Sequence, residues 1–292
     1  MHSDLIIEAR SRDLGGGFMV GRVLPQARQR MVGPFVFFDQ MGPMDFAAGS
    51  PLALDVKPHP HIGLATVTYL YSGSMTHRDS LGYKQEILPG EVNWMIAGKG
   101  ITHSERFESA RVHGAHMHGI QAWVALPEEN EEDEPLFFHY EGEQQLPVWQ
   151  EDGVRARLVA GTIDGVSSQV KTYSPLFYMH WELEAGGRRS VPATYTERAI
   201  YVAAGSVSAG GHALSAGKML VLPIGQAIDV IADRHSIVMV LGGEPLGERF
   251  VHWNFVSSSR ERIEQAREDW RAGRMQLPAG DDKEFVPLPE AR

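Results

Sequence analysis

At 292 residues the chain is long enough for about two domains of ordinary size. Its 43% hydrophobic and 22% charged residues are typical of a globular protein. A formal net charge of -10 repels phosphate backbones and anionic lipids, which argues against direct nucleic-acid or membrane binding. With no cysteine, any metal must be held by nitrogen and oxygen ligands.

The N-terminal residues are charged and lack the apolar stretch of a signal peptide. No segment of the sequence approaches the ~18 apolar residues that a membrane span needs. We therefore expect a cytoplasmic protein.

Short strand-like segments dominate the chain up to about residue 256. They are rich in Val, Ile, Thr and aromatic residues, are separated by Gly and Pro, and predict an all-β sandwich or barrel. In chain order they are TVTYLYSGSMT, YKQEILPGEVNWMIAG, HGIQAWVALP, AIYVAAGSV, KMLVLPIG and IDVIA. A helix is predicted near 259–272, with Ser258 or Ser259 as its cap and Gly273 as its stop.

An internal repeat relates the two halves of the chain. Placing Gly73 on Gly205 aligns TYLYSGSM with IYVAAGSV, and Gly90 then falls on Gly217. The repeat, together with polar and turn-rich residues at 140–155, predicts one domain at 1–145 and a second at 146–292. The second domain would include the C-terminal helix.

Two pairs of polar residues in the first half predict a metal site. His59 and His61 form one pair, and His103 and Glu105 form the other. Residues at i and i+2 of a strand project to the same side, so the four side chains can converge on one interior point. Three imidazoles and a carboxylate suit a divalent transition metal. The repeat replaces them, by alignment, with these apolar residues: Val191, Ala193, Val230 and Ala232.

Other polar groups are interpreted as structural. His116 and His118 also form an i, i+2 pair, but no acceptor pair follows them, so packing or hydrogen bonding is the favoured role. His77 precedes a turn, and the Asp79 side chain can hydrogen-bond to the backbone of that turn. The acidic run at 128–134 is interpreted as a solvated loop, with a flap near a pocket as the functional alternative.

Several phrases in order resemble the pirin family of the cupin superfamily. They are PFVFFDQM, HPHIGLATVTYLYSG, HRDSLG, GEVNWMIAGKGITHSE, HGIQAWVALP and GGEPLGERFVHWNFV, and they span residues from about 20 to 275. The resemblance implies a bicupin, that is, two β-barrel or jelly-roll cupin domains. It also implies one metal, in the N-terminal barrel, held by His59, His61, His103 and Glu105.

The resemblance further implies an activity. Pirins are associated with Fe(II) and with quercetin 2,3-dioxygenase activity, in which a flavonol is cleaved by O2 with release of CO. We expect Fe(II) first, with Mn, Ni, Cu or Zn as alternatives, and Glu105 as a general base for the flavonol hydroxyl. One departure is Ala65, where many pirins have Glu.

Two other functions use the same ligand set. The first is a metal-dependent regulatory protein without turnover that acts through a protein partner, as implied by a nuclear pirin that serves as a transcriptional cofactor. The second is a cupin isomerase or hydrolase that does not use oxygen. The sequence does not separate these from the dioxygenase.

Overall fold

Residues 5–290 are described by a computed structural model, and β-strands are its dominant elements. In chain order the strands are Leu5–Glu8 (β1), Arg10–Asp13 (β2), Met19–Leu24 (β3), Phe35–Phe46 (β4), Val56–His61 (β5), Leu64–Ser72 (β6), Met75–Asp79 (β7), Lys84–Ile87 (β8), Val92–Ile96 (β9), Ile101–Arg106 (β10), Ala115–Ala125 (β11), Leu136–Tyr140 (β12), Val148–Glu151 (β13), Val154–Ile163 (β14), Val166–Ser167 (β15), Leu176–Leu183 (β16), Arg188–Val191 (β17), Glu197–Ala204 (β18), Ser206–Ala209 (β19), His212–Ser215 (β20), Lys218–Val221 (β21), Ile228–Ala232 (β22), Ser236–Gly243 (β23), Phe250–His252 (β24) and Phe255–Ser257 (β25). The α-helices are Glu108–His113 (α1), Gly142–Gln145 (α2) and Arg260–Arg271 (α3). The predicted all-β class is confirmed.

The described residues form two units, and neither is one continuous segment of chain. The histidine unit, which contains the predicted metal ligands, comprises 12–20, 41–139 and 246–290. The second unit comprises 5–11, 21–40 and 140–245. The division into domains 1–145 and 146–292 stays a prediction. The units differ from it because each recruits strands or helices from the other half of the chain.

Two antiparallel sheets build the second unit. The larger sheet has the order β1-β21-β18-β23-β16-β14-β13, with β15 paired to β14, and the smaller has the order β17-β22-β19-β20. Both sheets contribute to one apolar core, with Phe177 and Val240 from the larger and Val191, Val207 and Val230 from the smaller. Burial of these alternating side chains between two sheets is what holds a β-sandwich or barrel together.

The histidine unit also has a four-stranded sheet, in the order β5-β10-β7-β8. In a second sheet, β12, β9, β6 and β11 lie side by side in that order. An apolar cluster that includes Phe46, Leu70, Met75, Phe107 and Met117 fills part of this unit. The unit thus has a core of its own.

Helix α3 packs within the histidine unit. Its N-cap is Ser259, whose side chain accepts a hydrogen bond from the Arg262 amide, in agreement with the predicted cap. Ile263, Ala266 and Trp270 are buried along one side of the helix, as amphipathic spacing requires. In the described part of the chain, no helix combines the length and the apolar character needed to cross a membrane.

The acidic run is mostly exposed, as a solvated loop requires, but one of its carboxylates, Glu131, is buried. Glu131 is 5% exposed and accepts hydrogen bonds from the Ser257 hydroxyl at 2.8 Å and the Ser258 amide at 2.8 Å. Its carboxylate also lies 3.1 Å from Arg249 Nε. These partners offset the cost of burying one charge of a repulsive run, so this loop is tied to the residues that precede α3.

Candidate metal centre

Strands β5 and β10 bring the three predicted histidine ligands together. The strands pair antiparallel with His59 opposite His103 and His61 opposite Ile101. The ring centroids are separated by 4.4 Å for His59 and His103, and by 5.0 Å for each of the other two pairs. The three rings therefore share one face of the sheet, as the i, i+2 spacing predicts.

Glycines shape the turns next to these strands. Gly63, in the turn between β5 and β6, has φ +67, and a Cβ there would lie 2.0 Å from the Val256 carbonyl oxygen. Gly98, in the turn before β10, has φ +50, and a Cβ there would lie 2.0 Å from the Asp133 carbonyl oxygen. A side chain at either position would meet both backbone strain and a steric clash.

The imidazoles are buried and neutral. His61 and His103 are at most 1% exposed and His59 is 8% exposed. Burial lowers the pKa of His59 to about 4 and lowers the pKa of His61 and of His103 well below the usual value. A neutral imidazole is the form that binds a metal, so the site holds its histidines ready to act as ligands.

Hydrogen bonds set the tautomer of two of the ligands. His59 Nδ1 lies 2.8 Å from the Lys57 carbonyl oxygen, and His61 Nδ1 lies 3.1 Å from the Asn254 carbonyl oxygen. A carbonyl oxygen only accepts, so each Nδ1 carries the proton and donates. The Nε2 atom of each ring is left with its lone pair, which is the arrangement found in metal-bound histidines.

A chain of side chains sets the tautomer of the third ligand. Asp79 Oδ1 accepts hydrogen bonds from the Leu81 and Tyr83 amides, and Asp79 Oδ2 lies 2.9 Å from His77 Nε2. His77 Nε2 then donates to Asp79, which leaves His77 Nδ1 as an acceptor 3.3 Å from His103 Nδ1. His103 donates to His77 and keeps a free lone pair on Nε2.

Among residues 5–290, His59, His61 and His103 are the group that could hold a metal ion. One ligand nitrogen from each lies within 4.8 Å of the others. The Nε2 atoms of His61 and His103 are buried and have no hydrogen-bond partner among these residues. Buried polar atoms are nearly always satisfied, so unsatisfied imidazole nitrogens at one point fit a metal.

Glu105 belongs to the same strand but not to that histidine group. A bulge in the pairing between β10 and β5 follows His103 and places Glu105 opposite Val56. Its Oε1 accepts from Gln121 Nε2 at 2.9 Å, and Gln121 Oε1 accepts from the Thr68 hydroxyl at 2.8 Å. Burial raises the pKa of Glu105 to about 7, against the hydrogen bond from Gln121. Its role as a ligand stays a prediction.

Strands β6 and β11 supply the inner wall beside the ligands. Thr66 pairs with Trp123 and Thr68 with Gln121, and the Trp123 ring meets the His61 ring edge-on with 5.0 Å between centroids. Since side chains alternate along β6, Ala65 projects to the opposite face. The family glutamate that Ala65 replaces would therefore point away from the imidazoles.

The other histidine pair, His116 and His118, lies outside the group of three imidazoles. His116 is a surface residue whose Nδ1 lies 2.8 Å from Asp45 Oδ1. His118 is buried and meets the Tyr71 ring edge-on at 4.8 Å. Neither belongs to the histidine group, and both fit packing or hydrogen-bonding roles.

Sequence reasoning missed the supporting residues of the site. His77 was interpreted as a turn residue, although it contacts His103 and stacks on Phe137 with 4.4 Å between ring centroids. Gln121 and Thr68 carried no signal as site residues. The available signal was the alternation of His77 with Asp79 on a strand, which repeats the i, i+2 pattern of the ligands.

Strand pairing in the second unit corrects the expected register of the repeat. Val230 lies opposite Arg189 and Val191 lies opposite Ile228. With Val230 in the place of His103, the counterpart of His59 is Arg189, and Val191 becomes the counterpart of His61. The predicted alignment of His59 with Val191 is therefore wrong by two residues in the first strand, because Pro60 and Pro192 do not occupy equivalent positions. Val191, Val230 and Ala232 are nevertheless core residues.

Comparisons with known proteins agree with these observations. Residues 17–124 match the Pirin family and residues 178–276 match the Pirin C-terminal cupin domain. The chain is 57% identical to a "Pirin-like protein" of Caulobacter vibrioides, over 98% of this chain and 99% of that one. It is 36% identical to a Pseudomonas aeruginosa protein named "Putative quercetin 2,3-dioxygenase", over 97% of this chain and 90% of that one.

A solved structure is also similar throughout its length. It is described as quercetin 2,3-dioxygenase from Acinetobacter baumannii, with a TM-score of 0.91, 33% identity, and coverage of 99% of this chain and 96% of that chain. The predicted bicupin architecture with a short C-terminal helix is confirmed.

We expect about one divalent transition metal per chain after loading with Co(II) or Ni(II) and dialysis. His61→Ala should lose the metal, because it removes one of the three converging imidazole nitrogens. His116→Ala is the matched control and should retain the metal, since His116 contacts Asp45 on the surface. Elemental analysis gives the ratio, and two metals per chain or metal loss in the control would contradict the assignment.

His77→Phe should weaken metal binding by ~10- to 100-fold, in line with the loss of an outer hydrogen-bond partner of a ligand. Phenylalanine keeps a ring against Phe137 but cannot accept the proton of His103 Nδ1. Competition with a chelator measures the affinity. An unchanged dissociation constant would show that the position of His103 does not depend on His77.

Proposed function

The chain belongs to the pirin family of cupin proteins, and on that premise we propose that it is a metal-dependent dioxygenase acting on a flavonol such as quercetin. The proposal assigns Fe(II) as the metal and His59, His61, His103 and Glu105 as its ligands. The observation that carries it is the convergence of three buried, neutral imidazoles. The names of the Pseudomonas and Acinetobacter relatives support the choice of substrate.

The metal would supply Lewis acidity toward the substrate hydroxyl and electron exchange with O2. The protein supplies the rest. His59 and His61 donate their Nδ1 protons to backbone carbonyls, so the rings cannot turn without losing those bonds. Held in this way, the ligands are oriented before any substrate binds.

Glu105 is proposed to accept the proton of the flavonol 3-hydroxyl. The Gln121 amide donates to one carboxylate oxygen, Oε1, and so holds the group in place. The other oxygen is the proposed metal ligand, and it would take the proton once it no longer binds the metal. Gln121 is oriented in turn by the Thr68 hydroxyl. A base must be held within hydrogen-bond reach of its proton, and this relay is the means by which the chain would do so.

The side chains beside the imidazoles support the proposal of an aromatic substrate. Trp123 offers a ring beside His61, and Met95, opposite Thr66 on β9, offers a polarizable apolar side chain. Both are buried, so they keep water from the ligands. A wall that combines an aromatic ring, a thioether and hydroxyls suits a polyphenol, which has apolar faces and polar edges.

The substrate assignment predicts a requirement for the 3-hydroxyl. With the protein loaded anaerobically with Fe(II), an oxygen electrode should record uptake with a flavonol and none with the matched flavone, because only the flavonol can bind through that oxygen. Carbon monoxide should form with uptake. Equal rates with both compounds, or none with either across Fe, Mn, Ni and Cu, would favour the regulatory protein that binds metal without turnover.

Glu105→Gln should reduce oxygen uptake by ~100-fold or more, the range expected for loss of a general base, while part of the metal is retained. The glutamine keeps the size and one carbonyl oxygen but cannot take the proton. Glu129→Gln removes the same charge from an exposed position and should leave the rate unchanged. Full activity in Glu105→Gln would refute the base assignment.

A further inference from the structure

The segment that follows α3 runs along the two strands that carry the predicted ligands. We call residues 276–286 the strap. The Thr102 hydroxyl donates to the Gln276 carbonyl oxygen near one end of it. The Val286 amide donates to the Pro58 carbonyl oxygen, at 2.8 Å, at the other. The strap therefore touches both β10 and β5, which belong to the same unit as the strap.

Asp281 makes the central contacts of the strap. Its Oδ2 accepts from the Ser104 hydroxyl at 2.5 Å and from Arg106 Nε at 2.8 Å, and its Oδ1 accepts from Arg106 Nη2 at 2.5 Å. Arg106 is also 3.2 Å from Glu284 Oε1. Two parallel bonds between a guanidinium and a carboxylate are directional as well as strong, so the strand and the strap are held in one geometry.

The residues that contact the strap alternate with the predicted ligands. Thr102, Ser104 and Arg106 are the positions between and beside His103 and Glu105. Because successive side chains of a strand project to opposite faces, the ligands face inward while their neighbours face the strap. The backbone of β10 thus has the predicted ligands on one side and the charged pair of Arg106 with Asp281 on the other.

The ion pair between Arg106 and Asp281 is shielded from water. The Arg106 side chain is 9% exposed and the Asp281 side chain is 14% exposed. Burial alone would raise the pKa of Asp281, but hydrogen bonds from Arg106 and Ser104 lower it. A shielded pair of this kind is screened by salt much less than a surface pair.

We propose that Asp281 is a positioning residue for the metal centre: by holding Ser104 and Arg106 from outside, it sets the path of β10 and hence the directions of His103 and Glu105. The inference rests on the proposed metal centre. The partners of the Asp281 side chain are Ser104 and Arg106 and not the imidazoles. Its effect on His103 and Glu105 therefore passes through the backbone of β10.

The test uses Co(II) as the probe, since its visible absorption reports the arrangement of ligands. Asp281→Asn removes the charge and Asp281→Ala also removes both acceptors. Both should weaken Co(II) binding by about tenfold or more, as outer-sphere changes do, and should shift the Co(II) bands. Ser104→Ala removes one donor from the strand side and should shift the same bands by less.

Asp269→Asn is the matched control. Asp269 is in α3, within the same unit, and pairs with Arg274 at 2.7 Å, so the variant has the same charge change and also breaks an arginine pair. It should leave the Co(II) affinity and spectrum unchanged. The Tm of each metal-free variant is measured alongside, and binding is measured well below it.

The possible outcomes distinguish the inference about Asp281 from the proposal of a metal centre. A lowered Tm with the parent's Co(II) affinity and spectrum in Asp281→Asn would mean that the strap only stabilises the fold, which overturns the inference. If Asp281→Ala does not fold, Asp281→Asn and Ser104→Ala decide. If the parent chain itself binds no Co(II), Ni(II) or Fe(II), the proposed metal centre fails, and the inference fails with it.

Discussion

The antiparallel pairing of β5 with β10 is the constraint on which the site depends. It places His59 opposite His103 and so determines which rings can share an ion. A shift of one residue would turn every side chain of one strand to the other face, and the three imidazoles would no longer converge. The turns at Gly63 and Gly98 and the contacts of the strap are features of the fold that hold this register.

Two features offset the free-energy cost of burying the three imidazoles. Each Nδ1 atom has a partner: a backbone carbonyl for His59 and His61, and the His77 ring for His103. Burial keeps the rings uncharged, because a charged imidazole would lose its hydration. The Nε2 atoms of His61 and His103 remain without a hydrogen-bond partner among the described residues, and a metal ion is a partner that fits them.

The two units show how one β scaffold serves two purposes. In the histidine unit, the paired strands carry the three histidines that could hold a metal ion. In the second unit, the corresponding pair β17 and β22 carries Val191, Val230 and Ala232, which join an apolar core. Arg189, the counterpart of His59, lies over the Trp149 and Trp181 rings instead. The second unit thus has apolar packing at the positions where the histidine unit has its group of imidazoles.

Local patterns in the sequence determined the β class, the helix that begins after Ser259, and the convergence of His59, His61 and His103, because strand alternation, helix capping and i, i+2 spacing act over a few residues. Only the tertiary structure decided which residues contact those histidines and the strand that carries His103. His77 meets His103 across 26 residues of chain, and Asp281 meets Ser104 across 177. The burial of Glu131 and the exchange of segments between the units are likewise contacts between distant residues. Such contacts arise from packing, and a single sequence shows no period or spacing that marks them.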